Sequence, residues 1–126
     1  MQIRQGVDIV SVERLEGAVR RHGDRFLNRI FTGGERVYCE SKRYKYEHYA
    51  ARFAAKEAMM KAMEIRRKNR LHFREIEVKR RPTGKPEIFL STKSYELFDL
   101  PKNVRIELSM AHERAYAVSS VVILFP

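Results

Sequence analysis

The sequence predicts an α+β fold in which helices pack on a mostly antiparallel sheet. Segments of alternating polarity, typical of strands, lie near both ends of the chain. Several segments between them have the apolar spacing of amphipathic helices. A Pro-Thr-Gly-Lys-Pro turn at 82–86 joins two short strand-like segments into a predicted hairpin. The length of 126 residues is that of one ordinary domain, so we expect a single domain over 1–126.

The individual elements follow from local patterns. The first strand places Ile3, Val7 and Ile9 on one face and Arg4, Gly6 and Asp8 on the other. Ser11 is a suitable N-cap for the next helix, and the Thr-Gly-Gly-Glu segment at 32–35 matches a capping box. The predicted elements are, in order, a strand over 2–10, helices over 12–22, 24–31, 32–41 and 48–64, hairpin strands over 73–80 and 87–90, a helical turn over 94–98, and strands over 104–110 and 115–125.

Charge is the strongest signal in the composition. Lys and Arg total 26 against 16 acidic residues, a net charge of +10. Such a positive field attracts polyanions, among them nucleic acid, anionic lipid, phosphorylated small molecules and acidic proteins. The single cysteine, Cys39, cannot form an internal disulfide, which favours a reducing compartment. No apolar segment has the length of a membrane span, and the N-terminus lacks a signal-peptide pattern, so we expect a soluble cytoplasmic protein with no membrane partner.

The predicted helix over 48–64 is apolar on almost every side, which is typical of a buried helix. Arg52 and Lys56 lie together on one side, where a solvent-facing strip explains them. Glu57 and Lys61 lie one turn apart on a second line. They form either a helix-stabilising ion pair, worth about 0.2 to 0.5 kcal/mol, or the wall of a polar cleft. In a cleft, the expected counter-charge is a metal ion or a phosphate.

Asp8 is the second unusual residue, because an acid is unfavourable in a strand built from Val and Ile. It is either at a solvent-facing strand end or a partner of Glu57 in a Mg²⁺ site. Mg²⁺ typically takes one or two carboxylates and completes its octahedron with water and substrate phosphate.

Two segments resemble the signature blocks of the holo-acyl-carrier-protein synthases, the small bacterial class of 4′-phosphopantetheinyl transferases. The first block is Gly-Val-Asp-Ile-Val at 6–10, followed by Arg14, and the second is Arg-Phe-Ala-Ala-Lys-Glu-Ala at 52–58, followed by Lys61. Their order and separation of about fifty residues also agree. Segments at 31–35, 84–86 and 109–113 fall where the family has comparable ones, so the resemblance covers nearly the whole chain.

The resemblance implies a 4′-phosphopantetheinyl transferase fold and a defined reaction. Such enzymes move the phosphopantetheine arm of coenzyme A onto a serine of apo-acyl carrier protein and release adenosine 3′,5′-bisphosphate, in support of fatty acid or polyketide biosynthesis. By resemblance, Asp8 and Glu57 hold Mg²⁺ and Lys61 contacts the same phosphate; these three residues form the catalytic set. The base that deprotonates the serine is Glu57, Asp8 or a metal-bound water.

Other roles are also implied by resemblance. His112 is similar to the family's histidine near the 3′-phosphate of the nucleotide, and Arg52, Lys61, Gly84, Lys85 and Pro86 are further candidates for coenzyme A binding. The basic first helices are the family's docking surface for the acidic carrier protein, with Arg14, Arg21 and Arg25 as candidates. Small members of the family form homotrimers with active sites between subunits.

The sequence leaves two alternatives. A basic RNA- or DNA-binding module could use Tyr44, Tyr46 and Tyr49 as stacking platforms among cations. No nucleic-acid-binding signature is present, however, so nucleic acid is not the expected partner. A non-catalytic scaffold is the other alternative. Two departures from the family pattern, a loop at 64–70 without glycine and Ala111 in place of a second serine, concern the nucleotide contacts.

Overall fold

The computed structural model describes residues 1–67 and 69–126, with the side chains of residues 70 and 71 outside that description. The fold is α+β, as predicted. The elements in the described part are, in order, β1 (Gln2–Ser11), α1 (Val12–His22), α2 (Asp24–Ile30), α3 (Gly33–Glu40), α4 (Lys45–Ala62), α5 (Arg70–Glu75), β2 (Ile76–Arg80), β3 (Pro86–Leu90), α6 (Thr92–Leu97), β4 (Arg105–His112) and β5 (Tyr116–Phe125).

All strand pairs of the described chain are antiparallel. A three-stranded sheet has the order β1-β5-β4, and β2 and β3 form a separate hairpin. The N- and C-terminal strands pair along their full length, from Gln2 opposite Phe125 to Ser11 opposite Tyr116. This pairing places the first and last strands of the chain side by side under α4.

Helix α4 lies on the inner face of the three-stranded sheet. Small residues on both sides permit a close approach: Ala50, Ala51, Ala54 and Ala58 of α4 and Ala117 and Ser119 of β5 are buried. The Ser119 hydroxyl donates a 2.9 Å hydrogen bond to the Ala51 carbonyl. At Gly6 of β1 the approach is closest, since a Cβ there would lie 2.1 Å from the Ala58 carbonyl oxygen and 2.9 Å from the Ala62 nitrogen. Glycine at position 6 therefore sets the distance between β1 and α4.

On another side, a buried ion pair anchors α4. The Lys56 Nζ lies 2.8 Å from Glu35 Oε1 and donates to the carbonyls of Phe73 (2.7 Å) and Ile76 (2.6 Å), so its three protons have three acceptors. Glu35 also accepts hydrogen bonds from the backbone nitrogens of Thr32 (2.9 Å) and Val78 (2.8 Å). Burial lowers the pKa of Lys56, while the adjacent Glu35 carboxylate acts to raise it. The predicted capping box at 32–35 thus does more than begin α3, because its glutamate joins α3, α4 and β2.

The solvent-facing interpretation of Arg52 and Lys56 is wrong. Both side chains are buried, with exposed fractions of 1% and 0%. The helical wheel correctly put them on a different side from Glu57, but that side packs against α3, the end of α5 and the start of β2.

The outer face of the three-stranded sheet is apolar and exposed. The alternation predicted for β1 is present, yet Ile3 (60%), Val7 (59%) and Ile9 (65%) face outward. Opposite them on β5 lie Leu124, Ser120 and Val118, and Tyr116 and Val118 are also exposed. Gly6 and Asp8 occupy the inner face, where α4 packs, so Asp8 is not at a solvent-facing strand end.

Several predicted boundaries differ from the structure. Helix α4 begins at Lys45, three residues before the start predicted at residue 48. The strand predicted to begin at residue 73 begins at Ile76, because α5 continues to Glu75. The glycine-free loop over 64–70 includes Lys68, which lies outside the described residues. Among the described residues, no helix is both long and apolar enough to cross a membrane.

Replacing Lys56 by Met leaves the buried Glu35 carboxylate without its counter-charge. We expect Lys56→Met to lower the free energy of unfolding by about 3 to 5 kcal/mol, measured by urea denaturation. Lys102→Met, at an exposed position, is the control and should change that free energy by less than about 0.5 kcal/mol. Equal small effects from the two substitutions would contradict the role of Lys56 as a buried anchor.

A side chain at position 6 meets the α4 backbone, which cannot move aside as a flexible side chain can. Gly6→Ala should therefore lower the free energy of unfolding by about 1 to 3 kcal/mol. Gly33→Ala is the matched control, because a Cβ at position 33 meets nothing within 4 Å. Denaturant titration of the two variants tests the contact; a Gly6→Ala protein as stable as Gly33→Ala would show that α4 does not press on β1.

Candidate active site

A cleft of about 1010 Å³ opens between β1, α1 and α4. Asp8 of β1 and Glu57 of α4 both line it, together with Phe26 and Phe53 on its apolar side. The Gly6 contact explains why the two acids share a cleft. Asp8 follows Gly6 on the same strand face, and Glu57 directly precedes Ala58, whose carbonyl oxygen Gly6 approaches.

Lys61 of α4 reaches across to β1. Its Nζ lies 2.9 Å from Asp8 Oδ1 and 3.1 Å from the Val7 carbonyl oxygen. The lysine side chain is about half exposed, at 53%, whereas that of Asp8 is 17% exposed. The Asp8 carboxylate therefore has an ammonium partner from α4, one helical turn beyond Glu57.

The donor set in this cleft suits a magnesium ion that also binds phosphate. Among residues 1–67 and 69–126, no group of three or more His, Cys, Asp or Glu side chains could hold a metal ion. Two carboxylates are nevertheless sufficient for Mg²⁺, since this ion keeps several waters and takes its other ligands from substrate phosphates. Asp8 and Glu57 are thus compatible with a Mg²⁺ site in which an anionic substrate supplies further ligands to the ion.

A second group of cations surrounds the ring of Tyr38. The guanidinium carbon of Arg52 lies 4.1 Å from the ring centroid, the Lys42 Nζ 4.7 Å and the guanidinium carbon of Arg80 5.3 Å. The buried Nε of Arg52 has no hydrogen-bond partner within the described chain. Three cations from α4, the α3–α4 connection and β2 therefore converge on one aromatic ring, an arrangement that attracts an anion.

Two histidines adjoin this cation group. The rings of His48 and His112 are 4.7 Å apart, and His112 Nδ1 lies 3.0 Å from Glu47 Oε1. Burial, and then the positive charges of His112, Arg52, Lys42 and Arg80, lower the pKa of His48 to about 4, so His48 is neutral at pH 7. Arg52 also contacts His48, since its Nη1 lies 3.5 Å from the His48 carbonyl oxygen. His112 and Arg52, two separate candidates in the sequence, therefore both adjoin His48.

Arg80 connects the hairpin turn to the cations around Tyr38. The Arg80 guanidinium donates a 2.5 Å hydrogen bond to the Gly84 carbonyl, and Pro86 pairs with Arg80 in the β2–β3 register. Gly84 has a φ of +90°, a conformation in which glycine is favoured. Lys85 is directed elsewhere, since its Nζ lies 3.1 Å from Glu107 Oε2 on β4.

Of the three candidate docking arginines, two line the cleft and one does not. Arg14 and Arg21 of α1 line the large cleft beside Asp8 and Glu57, as does Arg20. Arg25, on α2, is exposed but is not among the residues lining the cleft. The basic side of α1 therefore forms one wall of the cleft that contains the two acids.

Sequence reasoning missed Tyr38, Arg80 and His48. They lie on α3, β2 and α4, and no spacing along the chain connects them. The nucleic-acid alternative also loses a residue, because Tyr49 is buried and its hydroxyl donates a 2.6 Å hydrogen bond to Glu40. Tyr49 cannot act as a stacking platform.

Comparisons with known proteins agree on one family. Residues 4–120 match the model of the 4′-phosphopantetheinyl transferase superfamily. The holo-acyl-carrier-protein synthase of Koribacter versatilis is 41% identical over 123 residues, which are 98% of each chain. That of Ruminiclostridium cellulolyticum is 42% identical over 124 residues, covering 98% of this chain and 92% of the relative.

Solved structures give the same result. The holo-acyl-carrier-protein synthase of Neisseria meningitidis superposes with a TM-score of 0.83 at 31% identity, covering 97% of this chain and 98% of its own. The Helicobacter pylori enzyme in complex with coenzyme A gives a TM-score of 0.79 at 31% identity, covering 95% of this chain and 99% of its own. With relatives this similar over nearly its whole length, the chain belongs to the 4′-phosphopantetheinyl transferase superfamily.

Proposed function

We propose that the protein transfers the 4′-phosphopantetheine arm of coenzyme A to a serine of an apo-acyl carrier protein, with Mg²⁺ as cofactor and adenosine 3′,5′-bisphosphate as the second product. The observation that carries the proposal is that Asp8 and Glu57, from two distant segments, line one cleft, with Lys61 hydrogen-bonded to Asp8. The family relationship and the coenzyme A complex of the Helicobacter pylori relative support the same reaction.

The chemistry of the proposed reaction suits these residues. The serine hydroxyl attacks a phosphorus atom of a diphosphate, so catalysis depends on alignment and on neutralising charge at phosphoryl oxygens. Mg²⁺ bound by Asp8 and Glu57 would supply Lewis-acid stabilisation of the diphosphate. Lys61, which contacts Asp8, would donate to a phosphoryl oxygen of the same diphosphate as a point charge. A carboxylate of the pair, directly or through water, accepts the serine proton.

The cations around Tyr38 are the proposed site for the 3′-phosphate of coenzyme A. Arg52, Lys42 and Arg80 converge there, and the Arg52 Nε is buried without a hydrogen-bond partner in the described chain. His112 is next to these cations, because its ring packs against the ring of His48. Gly84 and Pro86 contribute to this phosphate site through the hairpin turn, which Arg80 binds by its hydrogen bond to the Gly84 carbonyl. Lys85 is the weakest of these candidates, since Glu107 already engages it.

The proposed macromolecular partner is the acidic carrier protein. Arg14 and Arg21 line the cleft wall, and Arg25 extends the basic surface onto α2. Charges at the rim of an interface chiefly raise the association rate and make it dependent on salt. This partner and coenzyme A together account for a net charge of +10. The proposal includes a cytoplasmic location, since the lone cysteine favours a reducing compartment.

The proposal also includes a homotrimer that buries the outer face of the sheet. Ile3, Val7 and Ile9 expose more than half of their surface, next to Val118 and Tyr116 of β5. A contiguous exposed apolar face of this kind marks an interaction surface. A second copy of the chain is the proposed occupant, as in the trimers that the family resemblance implies.

The transfer reaction is tested by incubating the protein with an apo-carrier protein, coenzyme A and Mg²⁺ and weighing the carrier by mass spectrometry. We expect a gain of one phosphopantetheine that disappears on addition of EDTA. Asp8→Asn and Glu57→Gln should each lower the rate about 100-fold or more, because each removes a charged ligand from the reacting diphosphate. Glu13→Gln removes an acid from the same cleft and should leave the rate nearly unchanged. The proposal fails if several apo-carriers gain no mass.

Self-association is tested by measuring the mass of the particle in solution. Wild-type protein should have three times the chain mass of 14.9 kDa in sedimentation equilibrium. Ile9→Lys combined with Val118→Lys puts charge on two directly paired residues of the outer face and should give monomers. Val37→Lys places the same charge at another exposed apolar side chain, on α3, and should remain trimeric. A trimer that survives the double substitution would assign the assembly to another surface.

A further inference from the structure

The contact between Lys61 and Asp8 brings a cation of the protein onto a proposed metal ligand. The Lys61 ammonium uses two of its three protons on β1, one on the Asp8 carboxylate at 2.9 Å and one on the Val7 carbonyl at 3.1 Å. Its side chain extends from α4 and is about half exposed. The lysine is therefore held on β1 by hydrogen bonds to Asp8 and Val7, and its exposure to solvent allows it to leave this position.

We infer that Lys61 couples the binding of the divalent cation to the binding of coenzyme A by competing with the cation for Asp8. The inference rests on the proposed function, in which Asp8 and Glu57 hold Mg²⁺ beside the diphosphate. It adds a regulatory role for Lys61, which makes the metal site weak until the co-substrate arrives.

The physical reason is charge repulsion at one carboxylate. An ammonium and a divalent cation on the same oxygen pair repel strongly at a separation of a few ångströms. The cation can bind Asp8 only if the ammonium moves, and this displacement costs part of its binding free energy. When coenzyme A is bound, its diphosphate interacts with the displaced ammonium. The free energy needed to move the ammonium off Asp8 then comes from coenzyme A binding instead of from metal binding. Each ligand then tightens the binding of the other by the same factor.

Arg20 is a nearby cation with a different partner. It lines the cleft beside Asp8, and its Nε forms a 3.0 Å ion pair with Glu16 on its own helix. Its charge contributes to the general field of the cleft without occupying Asp8. Arg20 therefore offers a matched control that separates direct competition at Asp8 from the effect of removing any nearby positive charge.

The test is Mn²⁺ binding, followed by the electron paramagnetic resonance signal of free Mn²⁺, first without and then with coenzyme A, and corrected for Mn²⁺ bound to free coenzyme A. Without coenzyme A, Lys61→Met should bind Mn²⁺ about threefold to tenfold more tightly than wild type. The ratio of the two dissociation constants, without and with coenzyme A, should fall in Lys61→Met. Lys61→Arg keeps the charge and should keep the weak binding, and Arg20→Met should stay within about twofold of wild type.

Three outcomes would overturn the inference. Unchanged Mn²⁺ affinity in Lys61→Met would show that the lysine does not compete at Asp8. An equal gain in Arg20→Met would assign the effect to the general field. If Asp8→Asn binds Mn²⁺ as wild type does in the presence of coenzyme A, the metal site of the proposed function fails as well. The first two results leave that site intact, so the failures are distinguishable.

Discussion

The close contact between Gly6 and the backbone of α4 is the constraint on which the site depends. With only a hydrogen at position 6, the strand lies so near the helix that a Cβ would be 2.1 Å from the Ala58 carbonyl oxygen. This proximity allows Lys61 to reach Asp8 and places Asp8 and Glu57 on one cleft. Two segments about fifty residues apart in sequence thus form one charged site. A larger residue at position 6 would separate the strand that holds Asp8 from the helix that holds Glu57 and Lys61.

The opposite side of α4 is fixed by charge rather than by close packing. Lys56 satisfies all three of its protons on Glu35 and two carbonyls, in surroundings where an unpaired ion would cost several kcal/mol. The adjacent residue, Glu57, lines the cleft. Successive residues of one helix therefore have different surroundings, since a residue step of about 100° turns Lys56 into the interior and Glu57 toward the cleft. In the proposed function, the first holds the helix and the second binds the metal ion.

The helix N-caps were predicted correctly at two positions. Ser11 caps α1 and the Thr32–Glu35 capping box is present, since these depend on neighbours three residues away. The burial of Arg52 and Lys56 could not be read from a helical wheel, because their partners lie on other elements: Tyr38 and Glu35 on α3 and Ile76 on β2. Likewise, the alternation of β1 identified two faces without saying which one α4 covers. The apolar face is the exposed one, and it is the face that the proposed trimer would bury.

Crystallography of the protein with coenzyme A and Mn²⁺, using the anomalous scattering of manganese, would locate the metal ion directly. We expect one anomalous peak in the cleft, with carboxylate oxygens of both Asp8 and Glu57 within about 2.5 Å of the ion and the diphosphate completing its coordination. A peak bound to one carboxylate alone, or to residues outside this cleft, would show that the two acids do not share a metal ion.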